Sequence, residues 1–255
     1  MKVITKPTVT VVAHTQFVPH PNYDIPPDGS EAERLGAFSA KGCYDSFSAT
    51  GRANRENQRE VISHGHGSVL EHATASLFIE GITRGLSLEL NRHRHFSISQ
   101  RSTRYVEEDD GAIVLDPYYA GLYEREDLTE AETALLDEHL WTQTKSIDAY
   151  KAQVEKLMTM NPYKLEGFHL RKWARGKARN VLPHGLETRG TWTGNYRTWR
   201  HFIALRSHEA AEDEIRVLAG MVLCALQPLA PVYFEDFQLS MARGIPSYAP
   251  THVKV

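Results

Sequence analysis

Apolar residues recur along this chain with two periods, and each marks a type of backbone. Near the start, Val9, Val11 and Ala13 alternate with Thr8, Thr10 and Val12, which predicts a short, mostly buried strand. The run ATASLFIE, Ala73 to Glu80, alternates again and sets Ala75, Leu77 and Ile79 on one face of a strand. Elsewhere the step is three or four residues. Leu86 and Leu90 predict a helix over Ile82 to Asn91. Leu128, Ala131, Leu135, Leu136, Leu140, Ile147, Tyr150, Val154, Leu157 and Met158 predict about 30 helical residues. That helix is either broken near Thr142 to Ser146 or continuous, and Asn161-Pro162 stops it. Ile215, Leu218, Ala219, Val222 and Leu226 predict a last long helix from about Ala210 to Leu226, before Pro228, with a strand expected around Tyr233 to Leu239.

Polar and turn-forming residues set the boundaries. Ser30 and Glu33 have capping-box spacing, so a helix should start at Glu31 and end near Gly42. A weakly amphipathic helix over Asn54 to Ser63 runs out at Gly65 and Gly67, and the proline-rich segment from His20 to Gly29 reads as a surface loop. Arg171, Arg175 and Arg179 fall on one face of a further helix before Leu182-Pro183. The order does not repeat βαβ units. An α+β fold is expected, with long helices packed on a small, largely antiparallel sheet.

Composition narrows the function classes. The 255 residues allow one large domain or two small ones, and a charge of 29 − 32 = −3 argues against a general nucleic-acid binder. No run approaches the roughly 20 apolar residues of a membrane span, and MKVITKPTVTVVAHTQF has no signal-peptide core, so a cytoplasmic protein is expected. Two cysteines exclude a disulfide scaffold. Cys43 has no general base beside it, and Cys224, within VLCAL, reads as a buried structural thiol. Neither a G-x-S-x-G elbow nor a G-x-G-x-x-G fingerprint occurs.

Thirteen histidines are many for this length, and His64, His66, His72, His93 and His95 lie close together. Metal ligation, structural hydrogen bonding and contact with an anion or heterocycle compete for them. No HExxH is present, carboxylates are scarce up to Asp109, and Arg84, Arg92, Arg94, Arg101 and Arg104 would oppose a dication, so no metal is assigned. Arg92-His93-Arg94, with Ser97, Ser99, Ser102 and Arg104, offers bidentate forks and hydroxyls suited to phosphate, or else forms a solvated basic turn. Glu107, Glu108, Asp109 and Asp110 would repel a nucleic-acid backbone. Later, Arg179, Arg189, Asn195, Arg197, Arg200, His201 and Arg206 are interleaved with tryptophans 192 and 199 and follow Trp173, a composition that fits a planar polar ligand and equally a subunit interface.

Ordered blocks decide between these readings. RHRHFSISQRS, Arg92 to Ser102, has the RHR, seven residues, Ser spacing, with HGHGSVLEH before it, STRYV after it, and RNVLP, ETR, TGNYR and HFIALR further on. Over most of its length the chain resembles the flavin-dependent thymidylate synthases. The resemblance implies a thymidylate synthase-complementing-protein-like, non-Rossmann fold, with residues 1–255 as a single domain and an insertion at 19–29. It also implies a homotetramer whose active sites are each assembled from several subunits. The implied reaction converts dUMP to dTMP with 5,10-methylenetetrahydrofolate as carbon donor, NADPH as reductant and FAD supplying the hydride.

By position, the resemblance makes Arg92, His93 and Arg94 flavin-binding, joined by Gln100, Asn195 and His201, with Ser68 and Glu71, after His66, as flavin or pocket contacts from a neighbouring subunit. Glu89, Arg92, Gln100, Ser102, Thr103, Arg104 and Arg179 correspond to the dUMP-binding set. Arg206 corresponds to the arginine that binds dUMP and activates its ring at N3. Where relatives commonly have a histidine four residues later, this chain has Ala210, with His208 two residues early. From the arginine-rich blocks and the poorly placed cysteines, no protein nucleophile is expected to attack uracil C6.

Overall fold

The computed structural model describes residues 2–108 and 111–255. In chain order its first elements are β1 (Val3–Ile4), β2 (Thr8–His14), α1 (Glu31–Cys43), α2 (Asn54–Ser63), β3 (Thr74–Thr83), α3 (Arg84–Leu90) and β4 (Ser97–Gln100). Then follow β5 (Ile113–Val114), α4 (Pro117–Tyr123), α5 (Glu130–Met160), α6 (Gly167–Ala178), β6 (Glu187–Asn195) and α7 (Tyr196–Arg206). The last are α8 (Asp213–Leu226), α9 (Pro231–Phe234), β7 (Phe237–Ala242) and β8 (Ile245–Pro250). Four strands form a sheet in the order β2-β3-β6-β4; β1 pairs in parallel with β5, Val3 opposite Ile113, and β7 pairs antiparallel with β8, Phe237 opposite Pro250. The architecture is α+β, as the pattern implied.

The chain divides into two compact units, the first made of Met1–Thr8, Ile79–Arg92 and Ser99–Gly190, the second of Val9–Phe78, His93–Ile98 and Thr191–Val255. In the first, α5 runs unbroken for 31 residues, which settles the alternative in favour of one helix. Thr129 and Glu132 close a capping box at its start, and Asn161, left-handed at φ 32°, ends it while its side chain bonds both backbone groups of Leu165 at 2.9 Å. Leu136 and Ile147 bury against Ile113, Leu115, Leu122 and Leu186. Further along, Tyr150 and Val154 meet Ala174 and Ala178 of α6, small residues that let the helices approach. Each large apolar side chain so buried contributes about 1.5–3 kcal/mol.

In the second unit, α1 starts with the expected capping box, and Glu33 does more than cap. Its Oε2 accepts from the Ser30 N–H and its Oε1 from the Val232 N–H, both at 2.8 Å, with no exposure to solvent. The proline-rich loop also has a task. The Asp28 carboxylate accepts from the N–H groups of Asn54 and Arg55 and caps α2 across 26 residues of sequence, in place of Ala53, which has no capping side chain. Trp199 and Phe202 of α7 are fully buried, with the Trp199 indole donating to Ala75 O at 3.1 Å. Arg200, also buried, bonds Asp236 through both terminal nitrogens and donates to Tyr233 O.

Several expectations need correction. β2 is a strand but is largely exposed, because it is the outer strand of its sheet. β3 continues to Thr83, whose hydroxyl caps α3, so that helix starts at Arg84 and not Ile82. Arg179 lies beyond α6 in a 3-10 turn, so the three-arginine face is shortened to two. The last long helix starts at Asp213, since a turn in which Ala211 N–H donates to His208 O precedes it. Tyr233 belongs to α9, and the terminal strand is shifted to Phe237–Ala242, paired with β8. Cys224 is exposed: the inward face of α8 is taken by Leu218, Ala219, Val222 and Leu226, and the thiol lies on its other side. Trp192 and Trp199 are core residues with no exposed surface, and Arg200 serves a buried ion pair, so these three are not ligand-facing.

Candidate active site

The Arg92–Ser102 motif is divided between the units, and each half builds its own surface. In the second unit, residues 93–96 form a turn closed by Phe96 N–H to His93 O at 3.3 Å. This turn packs on α7. Phe96 lies 4.3 Å from the Trp199 ring, and His93 meets Phe202 edge-on at 5.1 Å. The close fit requires Gly194, where a Cβ would stand 2.6 Å from the Phe96 ring. Asn195 ends β6 and caps α7, accepting from Thr198 N–H at 2.8 Å, while Arg206 occupies the last turn of the same helix, where its charge suits the helix dipole.

His93 and Arg206 meet directly. The Arg206 Nε–H donates to His93 Nε2 at 2.9 Å, so that nitrogen carries no proton and the ring's hydrogen sits on Nδ1. Burial first, then the charge of Arg206 and the neighbouring His201, lower the imidazole to about 4, and it is neutral near pH 7. His201 lies 6.1 Å away and is exposed, as is Arg94. Ser68 and Glu71 are the exposed positions of a 3-10 turn, Gly67–Glu71, that buries Gly67 and Leu70, and Glu71 pairs with Arg197 at 2.6 Å. The second unit thus brings together His93, His201 and Arg206. Phe96 and Phe202, buried rings that pack against His93 and hold it in place, were missed by the sequence reading; the only signal for Phe202 was its place next to His201.

In the first unit, Gln100 is the centre of a polar network. Its amide nitrogen donates to Ser87 and Thr188 hydroxyls at 3.0 and 3.1 Å, and its oxygen accepts from Asn91 at 3.0 Å. Arg101 N–H then joins Arg189 O at 2.9 Å, and the chain turns over Ser102, whose carbonyl accepts from the N–H groups of Tyr105 and Val106. Thr103 is buried; Arg104 is exposed, its guanidinium 5.6 Å from the Tyr105 ring. Arg92 and Arg179 are exposed and Glu89 is half-buried. Arg101, flanked by assigned residues, was passed over, yet it pairs with Glu108 at 2.9 Å and Glu187 at 3.1 Å. Glu108 is 1% exposed, so it does not present the repelling surface charge expected of it; Asp109 and Asp110 lie outside the described residues. Among the described residues no three His, Cys, Asp or Glu side chains gather as metal ligands do, and no helix is long and apolar enough to cross a membrane.

A family model for thymidylate synthase complementing protein matches residues 28–232. The flavin-dependent thymidylate synthase of Mycobacteroides abscessus is 41% identical over 235 residues, 91% of this chain and 90% of the relative. The chain belongs to the flavin-dependent thymidylate synthase family. Another member, from Corynebacterium aurimucosum, is 37% identical over 86% of this chain and 85% of its own. Solved structures agree on the fold. The UMP/dUMP methylase PolB from Streptomyces cacaoi, bound with 5-Br dUMP, superposes with a TM-score of 0.69 at 19% identity, covering 92% of this chain and 96% of its own. Thymidylate synthase X from Helicobacter pylori, with FAD and dUMP, gives 0.56 at 21% identity, covering 89% and 99%. In family terms, the RHR arginines and histidine stand here as an exposed, a buried and an exposed side chain in succession.

Proposed function

We propose that this chain carries out the reductive methylation of dUMP to dTMP, with FAD as resident cofactor, NADPH as reductant and 5,10-methylenetetrahydrofolate as carbon donor, leaving tetrahydrofolate. Membership of the family supports this reading, and the observation that carries it is the Arg206–His93 contact. Uracil C5 is a weak nucleophile and must gain electron density before it can attack a one-carbon unit. A guanidinium beside N3 and its neighbouring oxygens stabilises the more anionic ring. The partner of the Arg206 Nε is a neutral imidazole, which orients the guanidinium without cancelling its charge. His93 is therefore a positioning acceptor as well as a flavin contact.

The residues present suit FAD. An imidazole held neutral by burial and backed by the buried Phe96 and Phe202 rings, with the exposed Arg94 and His201 beside it, provides neutral and cationic contacts for a ring system and a pyrophosphate. Arg92, His93, Arg94, Gln100, Asn195 and His201 would hold it, with Ser68 and Glu71 contributed to a neighbouring subunit's site in a homotetramer. Bound flavin supplies the hydride, chemistry beyond any side chain. Glu89, Arg92, Gln100, Ser102, Thr103, Arg104, Arg179 and Arg206 bind dUMP. No protein nucleophile at uracil C6 is part of this reading: Arg206 activates the ring and flavin supplies the hydride. The continuous match over 28–232 supports a single functional domain, and a cytoplasmic setting fits the supply of NADPH and reduced folate.

Protein purified in the presence of FAD should show flavin absorbance and form dTMP from dUMP, methylenetetrahydrofolate and NADPH without added metal. Absence of dTMP with FAD bound would overturn the assignment. Trapping a covalent adduct between dUMP and Cys43 or Ser102 would overturn the reading that no protein nucleophile takes part.

A further inference from the structure

The segment assigned to dUMP begins and ends on one ion pair. Arg101 Nη2 donates to Glu108 Oε2 at 2.9 Å, closing an eight-residue loop that carries Ser102, Thr103 and Arg104 between its ends. The other terminal nitrogen of Arg101 donates to Glu187 Oε2 on β6 at 3.1 Å, and Glu187 Oε1 accepts from Gly81 N–H on β3. Arg101 is only 17% exposed and its partners 1% and 7%, so these bonds are sheltered from water and salt. The loop is braced near its far end as well, by Arg175 donating to Tyr105 O and Glu107.

We propose that Arg101, clasped by Glu108 and Glu187, is a positioning residue that holds the 101–108 loop in the shape that binds the nucleotide monophosphate. The proposal rests on the assignment of dUMP to this segment. Arg101 is engaged by two carboxylates and acts through the backbone of Ser102, Thr103 and Arg104. Without the clasp, the loop must be ordered each time nucleotide binds, and that cost falls on affinity. The chemical step, which depends on the Arg206 contact in the second unit, keeps its rate once nucleotide is bound.

The clasp is also pH-sensitive. Burial raises the Glu108 carboxyl to about 7; Arg101, Arg84 and Arg189 oppose that rise, Glu187 adds to it, and Tyr150 of α5 also faces this carboxyl. As pH falls through about 7, Glu108 gains a proton and its ion pair with Arg101 weakens. Nucleotide affinity should fall in that direction.

The test uses the FAD-loaded protein, with dUMP binding followed by calorimetry and initial rates measured in parallel. Arg101→Ala should raise Kd and KM for dUMP by about tenfold or more, the scale of a sheltered charge-assisted bond, with kcat and flavin content little changed. Arg101→Lys should recover part of the affinity. Glu108→Gln, which keeps shape without charge, should bind more weakly than wild type near pH 8 and converge with it near pH 6. The phosphate's own titration is common to both proteins and cancels in that comparison. Unchanged Kd in Arg101→Ala, a loss confined to kcat, or a Glu108→Gln profile parallel to wild type would each overturn the proposal alone. Wild-type protein that binds no dUMP would overturn the functional reading and the proposal with it.

Discussion

Replacing His93 with Gln should remove a measurable part of the protein's acid sensitivity. In the folded chain the imidazole is lowered from its ordinary 6.5 to about 4 by burial, Arg206 and His201. Between these values the unfolded chain binds a proton that the folded chain refuses, so stability rises with pH at about 1.4 kcal/mol per pH unit. Over the whole interval this amounts to about 3 kcal/mol, fully present above 6.5 and lost as pH falls towards 4. Gln at this position does not titrate, and its amide oxygen can accept the Arg206 Nε–H. Glu108, raised to about 7, acts with the opposite sign: the folded chain holds a proton that the unfolded chain has released, and stability is lost as pH rises from about 4.5 to 7. The wild-type curve alone would therefore look flat across the shared range. The informative quantity is the difference between wild type and His93→Gln, in which Glu108 cancels. Urea unfolding of flavin-free protein at intervals from pH 7.5 to 4.5 measures it. By pH 4.5 wild type should have lost about 2.5 kcal/mol more than the variant. Parallel curves would show that His93 is not a buried neutral imidazole and would undo the tautomer assigned through Arg206.

Other substitutions separate chemistry from scaffold. Arg206→Ala should reduce dTMP formation by about 10²–10³, the scale for loss of one preorganised electrostatic contact, with the fold and bound flavin retained by absorbance and circular dichroism. Unchanged turnover would remove Arg206 from the reaction. Gly194→Ala places a Cβ 2.6 Å from Phe96 and should cost about 1–3 kcal/mol in urea unfolding. A stability equal to wild type would mean that the 93–96 turn is not packed on β6. Arg200→Ala leaves Asp236 without its partner and should destabilise the fold by about 3–5 kcal/mol. A variant that unfolds like wild type but loses activity would instead place Arg200 in the site.

Much of the architecture was written locally. Capping signals at Ser30 and the Asn161-Pro162 stop work through neighbouring backbone, so α1 and the end of α5 were legible without tertiary information. Alternation likewise identified β3, since residues 75, 77 and 79 must share a face in any extended chain. The ordered motif blocks named the family, because many residue identities at fixed spacing carry more information than any single element does. Tertiary structure decided what spacing cannot. Whether β2 is buried depends on its place at the edge of a sheet, and whether Cys224 is covered depends on which side of α8 packs inward. Arg200 and Arg206 are six residues apart on one helix, yet one neutralises Asp236 in the core and the other donates to a neutral histidine. Sequence alone gives both the same charge. The partner, burial and local dielectric come only from the fold, and they separate a scaffold arginine from the proposed catalytic one.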